Sequence, residues 1–238
     1  MRAPEPILLL TRPEAASRRF ANEIREIFGE GVRICISPLL EIRTQAQSVD
    51  FQDARGVVFT SSNAVDIVSS LTEARDLPAF CVGRFTTQRA RDAGWDALCA
   101  GKDADELVDY LISRAPVGPL LHLRGVHSRG DIAGALNRSG VSTSECVVYD
   151  QIPVELTEEA VAHLSAKNPV FVPLFSPRTA ARFERQKKGT VAVYPIAMSK
   201  AVADEIRSEC VVASRPDTDA MVFAVEKQIK LVCSLEAD

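Results

Sequence analysis

The chain has 238 residues, 46% of them hydrophobic and 25% charged, which suffices for one large globular domain or two small ones. Its formal net charge of -4 is small and the two signs are interspersed, which argues against a nucleic-acid surface or a membrane-binding face. No apolar run approaches the length of a membrane span, and no secretory signal is recognisable. We therefore expect a cytoplasmic protein with no nucleic-acid and no membrane partner.

The cysteines and histidines give no sign of a disulfide framework or a metal site. Most of the six cysteines lie in or beside strand-like apolar runs, and no two form a CxxC pair. Cysteines in such runs are usually small buried hydrophobes, so reduced thiols are predicted. The three histidines, His122, His127 and His163, are too few and too scattered along the chain for a zinc site, and no metal is expected.

The first predicted elements are a strand, a helix and a second strand. Residues 6–13 (PILLLTRP) form an apolar strand, and residues 14–28 carry apolar side chains at helical spacing before glycine ends the helix. Residues 32–38 (VRICISP) form the next strand. The polar stretch that follows has no convincing helical pattern, so strand joins strand through an extended segment.

From residue 55 onward, short apolar strands alternate with amphipathic helices. Strands are predicted over 55–60, 79–83, 96–100 and 119–124, with helices over 63–72, 85–94, 104–114 and 130–139. The segment 144–156 (SECVVYDQIPVEL) contains Pro153 and is more typical of a linker strand than of a core strand. A helix over 157–166 follows, with Thr157 as its N-cap. Further strands are predicted over 169–175, 190–197 and 210–215, and further helices over 178–186, 199–207 and 218–231.

Repeated strand–helix units predict an α/β fold of two similar domains, each a parallel sheet flanked by helices. Residues 44–148 form one domain. Residues 1–38 need residues 154–238 to complete the sheet of the other. The extended segments 39–43 and 149–153 are the linker strands between them. Weak internal similarity, such as VVFTSSNAV beside PLFSPRTAA, favours two related domains.

Polar and basic residues recur where the predicted strands end. A helix begins at each such end, and its first amides lack partners within the helix. The hydroxyl side chains act there as N-caps alone, or the amides bind anions, because ligands of open α/β sheets lie at the carboxyl ends of the strands. The recurrence favours a cleft for a large, flexible ligand with many negative charges. The candidate binding residues are Thr11, Arg12, Thr60, Ser61, Ser62, Asn63, Gly83, Thr86, Arg124, Gly125, Ser176, Pro177, Ser199 and Lys200.

No catalytic or nucleotide-binding motif competes with this interpretation. The sequence lacks GxGxxG, GxxxxGK[ST], HExxH and GxSxG. His122 lies inside a strand and is interpreted as structural, whereas His127 follows it beside a basic loop and could contact a ligand. Nothing places a cysteine beside either histidine. Tyr149 is the one phenol at the expected junction of the domains, where it either packs as a linker aromatic or serves the site.

Several segments, taken in order, resemble the uroporphyrinogen-III synthase family. They are LLLTRP, VVFTSSNAV, CVGRFTTQRARDAGW, LHLRG, RGDIAGALNRSGVSTSECVVYDQ, LFSPRTAARF and ASRPDTDAM, and they span nearly the whole chain. The resemblance implies two α/β domains joined by a two-stranded linker, one of them built from both ends of the chain. It also implies conversion of the linear tetrapyrrole hydroxymethylbilane to uroporphyrinogen III, with inversion of the last ring and with no metal or cofactor.

The resemblance also implies roles for individual residues. The binding positions of the family correspond to Thr60, Ser61, Ser62, Gly83, Thr86, Ser176 and Pro177. The tyrosine implicated as proton donor to the departing hydroxyl corresponds to Tyr149. The segment IAMSKAVA departs from the family pattern, since Ala197 replaces a glycine and Ser199 and Lys200 replace a pair of threonines. Either Lys200 supplies a carboxylate partner instead, or the change lowers activity or marks a diverged relative.

Two functions follow from these observations. The first is a uroporphyrinogen-III synthase, a cyclising hydro-lyase of tetrapyrrole and haem biosynthesis, acting as a cytoplasmic monomer in transient contact with the preceding pathway enzyme. The alternative is a diverged, non-catalytic, two-lobed protein that binds a small polyanionic ligand. Formation of the type III isomer from hydroxymethylbilane distinguishes the two.

Overall fold

The computed structural model describes residues 5–51, 53–116, 118–128, 130–187 and 192–235. The chain divides into two compact units. Residues 1–41 and 153–238 form the terminal unit, and residues 42–152 form the middle unit.

Strands and helices alternate along the described chain. In chain order the strands are β1 (Ile7–Leu10), β2 (Arg33–Ile36), β3 (Leu40–Thr44), β4 (Gly56–Phe59), β5 (Ala79–Val82), β6 (Ala97–Gly101), β7 (Leu120–Gly125), β8 (Thr143–Pro153), β9 (Val170–Leu174), β10 (Val193–Ala197) and β11 (Val211–Val212). The helices are α1 (Glu14–Phe28), α2 (Ser62–Leu71), α3 (Arg84–Asp92), α4 (Ala104–Arg114), α5 (Ile132–Arg138), α6 (Glu158–Ser165), α7 (Pro177–Gln186), α8 (Lys200–Ala203) and α9 (Thr218–Leu235).

Each unit is built on one sheet. The sheet of the terminal unit has the order β11-β10-β9-β1-β2, and the six-stranded sheet has the order β3-β8-β7-β4-β5-β6. All pairings within β11-β10-β9-β1-β2 and within β8-β7-β4-β5-β6 are parallel. The chain leaves β1 and β9 in opposite directions across the first sheet, and it leaves β4 and β7 in opposite directions across the second. Such a switch point opens a crevice at the carboxyl ends of its strands, where ligands of α/β sheets bind.

Buried apolar side chains cover both faces of each sheet. In β1, Leu8 and Leu10 belong to one core cluster, whereas Ile7 and Leu9 belong to another on the opposite face. The residues of β4 alternate in the same way between two clusters. This is the period of two expected for a parallel strand that is buried on both sides. Each such side chain contributes about 1.5–3 kcal/mol on burial, so the strand ends project from a firmly held core.

Helix α1 shows how the local sequence sets the limits of an element. Its apolar side chains fall at helical spacing, and Phe20 and Ile24 are buried against the sheet. Glu14 lies in the first turn, where a negative charge is favourable. The helix ends at Gly29, whose φ of 55° lies in the region that favours glycine.

The prediction that 144–156 is a linker strand rather than a core strand is wrong for its first half. Strand β8 pairs in parallel with β7 from Thr143 to Tyr149. Val148 is completely buried and Tyr149 is 5% exposed, so this stretch belongs to the core of the middle unit. Pro153 is the last residue of the strand, where its missing N–H interrupts little pairing.

The predicted helix over 199–207 is also shorter than expected. Helix α8 ends at Ala203, because the amides of Glu205 and Ile206 bond to carbonyls three residues back rather than four. This tighter bonding closes the last turn of the helix.

The remaining predicted helices and strands are confirmed, with shifts at their ends. Residues 190 and 191 of the predicted strand 190–197 lie outside the described residues. Among the helices described, none is both long and apolar enough to cross a membrane.

Candidate functional site

A cavity of about 290 Å³ lies at the carboxyl ends of β4, β5 and β7 in the middle unit, beside Tyr149 of β8. Four predicted site residues line it, namely Thr60, Ser61, Gly125 and Tyr149. Thr60 and Ser61 follow β4, and Gly125 ends β7. Because β4 and β7 form the switch point of this sheet, the cavity occupies the crevice expected for a ligand.

The other residues of the cavity wall were not predicted as site residues from the sequence, apart from the suggestion that His127 could contact a ligand. They are Val82, Asp103, Ala104, His127, Ser128 and Ile132. Asp103 follows β6 and precedes a helix, so the rule of strand ends would have found it if it had been applied to that strand as well. Over the described residues, the wall contains no lysine and no arginine.

Tyr149 is held by its neighbour across the sheet. It pairs with Gly125 in the register of β7 and β8, and the Val126 amide donates to the Tyr149 carbonyl at 2.9 Å. A Cβ atom at Gly125 would lie 2.6 Å from Cζ and 3.0 Å from the hydroxyl oxygen of Tyr149. The ring therefore needs a glycine at position 125, and this contact fixes the phenol beside the cavity.

A row of polar side chains, here called the histidine chain, leads from the cavity into the sheet. Thr60 Oγ1 lies 3.3 Å from Nε2 of His122, and Nδ1 of His122 lies 3.3 Å from Oε1 of Glu145. The other oxygen of Glu145 lies 2.8 Å from a guanidinium nitrogen of Arg124. His122 is 1% exposed. Burial lowers the pKa of His122 despite the neighbouring Glu145, and Arg124 lowers it further.

This geometry revises two interpretations from the sequence. His122 is not merely a packed strand residue, because both of its ring nitrogens face polar partners. Arg124 directs its guanidinium to Glu145 and to the carbonyl of Gly125, the latter at 2.9 Å. The side chain of Arg124 therefore already has partners within the middle unit.

Three helices begin beside the cavity, and a side chain of the protein caps each one. Ser61 caps α2 by accepting a hydrogen bond from the Asn63 amide at 3.2 Å. Asp103 and Asp131 cap α4 and α5 in the same way. A carboxylate offsets the partial positive charge of a helix N-terminus. Helix α2, with a serine cap and no acidic residue in its first turn, is therefore the one best suited to attract an anion.

Four further predicted residues of the middle unit lie near these helix starts but are not among the described lining residues of the cavity. Ser62 and Asn63 are half-buried in the first turn of α2. Gly83 precedes α3 with a φ of 76°, a conformation that favours glycine. Thr86 is 7% exposed, which leaves little of its side chain for a ligand.

The switch point of the terminal unit carries a desolvated arginine. The guanidinium carbon of Arg12 lies 4.1 Å from the ring centroid of Phe175, which follows β9. Burial lowers the pKa of Arg12 to about 10, and Arg19 adds to this effect while Glu23 opposes it. No described carboxylate forms an ion pair with Arg12. A desolvated cation without a counter-ion is costly, so a bound anion would stabilise it.

Other predicted residues lie at the strand ends of the terminal unit. They differ in whether their side chains already have hydrogen-bond partners within the protein. Thr11 is completely buried, and its hydroxyl has no hydrogen-bond partner among the described residues. Ser176 accepts from the Thr179 amide at 3.2 Å and donates to the Thr179 hydroxyl at 2.9 Å. Pro177 is the first residue of α7, where its missing N–H costs nothing.

The altered segment IAMSKAVA lies at the carboxyl end of β10. Ser199 precedes α8 without a side-chain cap bond. Lys200 is exposed and lies 3.0 Å from Asp204, one helical turn away. Lys200 therefore has a carboxylate partner at the C-cap of its own helix.

The sequence interpretation of the histidines and cysteines is also altered by the fold. Cys35, Glu159 and His163 place potential ligand atoms within 4.8 Å of one another, although Cys35 is far along the chain from the other two, which lie one turn apart in α6. Burial raises the pKa of Cys35 to about 11 and that of Cys81 to about 12. Both thiols are therefore protonated at neutral pH, which disfavours a role as nucleophile.

The fold and the site define an α/β protein with a small-molecule cavity at the switch point of a parallel sheet. The family model described as "Uroporphyrinogen-III synthase HemD" matches residues 22–222. The chain belongs to the uroporphyrinogen-III synthase family, and its activity is that of a cyclising lyase of tetrapyrrole biosynthesis.

Solved structures of the same family share this fold. A uroporphyrinogen-III synthetase from Helicobacter pylori superposes with a TM-score of 0.68 at 16% identity, over 95% of this chain and 99% of that chain. A mutant uroporphyrinogen III synthase from the extremely thermophilic bacterium Thermus thermophilus superposes with a TM-score of 0.53 at 12% identity, over 94% and 99%. The predicted α/β fold is thereby confirmed. A comparison with curated proteins gave no match. These findings do not favour the alternative of a non-catalytic binding protein.

Proposed function

We propose that the middle-unit cavity is where hydroxymethylbilane is closed to uroporphyrinogen III, with Tyr149 as the general acid. The observation that carries this proposal is that Thr60, Ser61, Gly125 and Tyr149 line one cavity. Tyr149 is mostly buried there, and no described residue forms a hydrogen bond with its hydroxyl, so the proton is available to a ligand.

The first chemical step is loss of the terminal hydroxyl of the substrate as water. Tyr149 gives its proton to the leaving oxygen as the C–O bond breaks, and the pyrrole nitrogen lone pair stabilises the azafulvene that remains. Proton transfer by a positioned side chain contributes about 10²–10⁴-fold to such a step. The contact with Gly125 supports this role because it holds the phenol in one place.

The second step inverts the last ring. Its substituted α-carbon attacks the azafulvene carbon, and the resulting spiro intermediate fragments and recloses with the ring turned round. Loss of a proton restores the aromatic pyrrole and returns a proton to the tyrosinate. Because uncatalysed closure gives the uninverted isomer, the enzyme must hold one folded conformer of the substrate. Positioning is therefore expected to dominate over strong acid or base chemistry.

The size and charge of the cavity indicate which part of the substrate it holds. Sites that enclose a drug-sized ligand usually measure about 300–1,000 Å³. A cavity of about 290 Å³ suits one end of a four-ring chain. Since its described wall lacks lysine and arginine, we propose that a substrate carboxylate binds where the serine-capped N-terminus of α2 begins beside the cavity.

The decisive test is to add hydroxymethylbilane and to identify the product isomer after oxidation. Type III product is expected, whereas type I product formed at the spontaneous rate would contradict the proposal. Tyr149→Phe should lower kcat about 10²-fold with a small change in KM. Tyr110→Phe is the matched control, because Tyr110 contacts Arg114 and is not among the described residues of the cavity wall. Unchanged turnover in Tyr149→Phe would remove its role as acid.

We further propose that the protein acts as a cytoplasmic monomer. The small net charge and the free cysteines, of which Cys35 and Cys81 are buried, support this setting. Transient contact with the preceding pathway enzyme is expected because the linear substrate closes spontaneously if it is left free. Sedimentation of the purified protein tests its oligomeric state.

A further inference from the structure

The histidine chain determines the direction of each hydrogen bond within it. Arg124 has only donors, so the Glu145 oxygen that faces it must accept. An ionised Glu145 also accepts at its other oxygen, which faces Nδ1 of His122. A neutral His122 therefore carries its proton on Nδ1 and leaves Nε2 as an acceptor. Burial of His122, which lowers its pKa, favours this neutral form at neutral pH.

The direction of these bonds fixes the hydroxyl of Thr60. A threonine hydroxyl has one donor and two acceptor lone pairs. Its hydrogen is directed to Nε2 of His122, at an oxygen–nitrogen distance of 3.3 Å. What Thr60 has left for the cavity is its acceptor lone pairs.

We propose that the histidine chain makes Thr60 a hydrogen-bond acceptor at the cavity wall, so that this subsite binds an N–H donor of the ligand and not a carboxylate. This inference rests on the proposed function, in which the N–H donor is a pyrrole of hydroxymethylbilane. His122, Glu145 and Arg124 are then positioning residues that act through Thr60. Thr60 is the residue that touches the substrate.

The rest of the described cavity wall agrees with this polarity. Asp103, which also lines the cavity, is a carboxylate and repels substrate carboxylates. No lysine or arginine of the described wall offers an anion a partner. The cavity thus suits the N–H side of a pyrrole ring, with the acidic substituents directed away from it.

This assignment differs from the interpretation of Thr60 as one of several hydroxyls that bind carboxylates. A hydroxyl must donate to bind a carboxylate, and Thr60 has already given its only donor to His122. Ser61, by contrast, accepts from the Asn63 amide and keeps its own proton for a ligand. Adjacent hydroxyls of the same turn are therefore expected to recognise opposite kinds of group.

Glu145→Gln tests the proposal with little change in shape. Arg124 can only donate, so it orients the carbonyl oxygen of the new amide toward itself and the NH₂ group toward His122. Nδ1 must then accept, and the proton moves to Nε2. Nε2–H donates to Thr60, which frees the Thr60 hydrogen to point into the cavity. The Thr60 hydroxyl would then donate a hydrogen bond into the cavity instead of accepting one, while the shape of the side chains stays the same.

The direct measurement is the tautomer of His122, read from ring ¹⁵N chemical shifts of histidine-labelled protein. Only three histidines are present, so their signals can be assigned with single variants. We expect the Nδ1–H form in the natural chain near neutral pH and the Nε2–H form in Glu145→Gln. An Nε2–H tautomer in the natural chain would overturn the proposal.

The kinetic measurement uses hydroxymethylbilane. Glu145→Gln and Thr60→Val are each expected to lower kcat/KM about tenfold, the effect of one hydrogen bond, whereas Thr60→Ser retains most of the activity. The midpoint of thermal unfolding of Glu145→Gln should change little. If Glu145→Gln switches the tautomer and keeps full kcat/KM, Thr60 does not act as an acceptor for the substrate and the proposal is wrong.

Glu159→Gln is the matched control, because Glu159 also lies beside a histidine, 3.4 Å from Nε2 of His163, but belongs to α6 of the terminal unit. It should change neither kcat/KM nor the His122 signals. The tautomer measurement needs no turnover. A protein that shows the expected tautomers but forms only the type I isomer would therefore contradict the proposed function and leave the polarity of Thr60 standing.

Discussion

The two switch points of this molecule have the same topology and opposite chemistry. In the terminal unit, Phe175 follows β9, and its ring contacts a desolvated arginine from the end of the adjacent β1. In the middle unit, Thr60 follows β4, and its hydroxyl contacts a buried histidine of the adjacent β7. The first switch point offers a cation without a described ion-pair partner. At the second, Arg124 is paired with Glu145, and the described cavity wall contains no lysine or arginine.

The N-caps show how closely the two places correspond. Ser61 and Ser176 both cap the helix that follows the strand. When the two cap residues are aligned, Thr60 corresponds to Phe175. This alignment is shifted by one position from the one that sequence similarity gives. The difference teaches that the N-cap serine is present in both units while the residue before it is a hydroxyl in one and an aromatic ring in the other, and each contacts a different partner.

The largest effect on activity is expected from a substitution that crowds Tyr149 at the switch point of the middle unit. In Gly125→Ala the new Cβ would lie 2.6 Å from Tyr149 Cζ, so the ring must move. We expect kcat to fall about 10²-fold or more, and the free energy of unfolding to fall by about 1–3 kcal/mol. Steady-state kinetics and urea unfolding measure the two effects.

A second substitution sharpens this result. Adding Tyr149→Ala to Gly125→Ala removes the ring and should recover part of the stability but none of the activity. If Gly125→Ala keeps full turnover, the close contact of glycine and tyrosine does not position the acid.

The next largest effect concerns the terminal switch point. Arg12→Gln removes the desolvated cation and is expected to raise KM about 10–100-fold with little change in kcat, the loss of a charge-assisted hydrogen bond. Stability should change little, because relief of the desolvated charge offsets the loss of its contact with the Phe175 ring. Arg18→Gln is the control, since Arg18 is an exposed residue of α1 that pairs with Glu14. An unchanged KM in Arg12→Gln would show that Arg12 does not bind the substrate.

Removing the N-cap serines should have smaller effects on stability and activity, and these effects should differ between the two switch points. Ser61→Ala and Ser176→Ala should each lower the free energy of unfolding by about 1 kcal/mol. Ser61→Ala should also lower kcat/KM by up to about tenfold, the equivalent of ~1.4 kcal/mol, because Ser61 lines the cavity.

Thr157→Ala is the control for the cap variants, because Thr157 caps α6 at 3.2 Å from the Ala160 amide and was not a predicted site residue. It should lose stability and keep activity. A loss of many orders of magnitude from either serine variant would contradict binding that is distributed over several groups.

The smallest effect is a pH dependence of stability that belongs to the middle switch point alone. Burial holds the pKa of His122 in the folded protein below its usual 6.5. The unfolded chain therefore binds a proton at a pH where the folded chain does not. The stabilisation is complete above pH 6.5 and is lost as the pH falls toward the pKa of the folded state.

His122→Asn should remove this part of the pH dependence, whereas the exposed His127→Asn should keep it. Urea unfolding at about pH 5 and at about pH 8 measures the difference. If the free energy of unfolding changes equally between the two pH values in His122→Asn and in the natural chain, His122 is not held neutral by burial.

Much of the fold could be predicted because the pattern of apolar residues records local structure. Helix α1 was predicted with its limits unchanged, since spacing and glycine set both ends. Strand β8 was misjudged because Pro153 and scattered polar residues suggested a linker. What holds β8 in the sheet is burial of Val148 and Tyr149 against distant residues, which spacing along the chain cannot reveal.

The candidate site could be predicted only as separate strand ends. The sequence analysis predicted Thr60 at a strand end and Tyr149 at the start of a linker, but their common cavity depends on which strands are neighbours in the sheet. The polarity of Thr60 depends on His122, which is distant along the chain and was interpreted as structural. The aspartate caps of α4 and α5 likewise offset the positive charge of two helix N-termini beside the cavity, which the general rule for strand ends does not reveal.

Strand β1 pairs with β9 through Ile7 and Val170, with the whole middle unit between them in the chain. On a translating ribosome, every residue of the middle unit emerges before the partner of β1 has been made. We expect the middle sheet to form first. Until β9 has been made, the edge of β1 that pairs with it remains unpaired. We therefore expect aggregation during synthesis, and the need for chaperones, to depend on this unpaired edge more than on the stability of the finished protein.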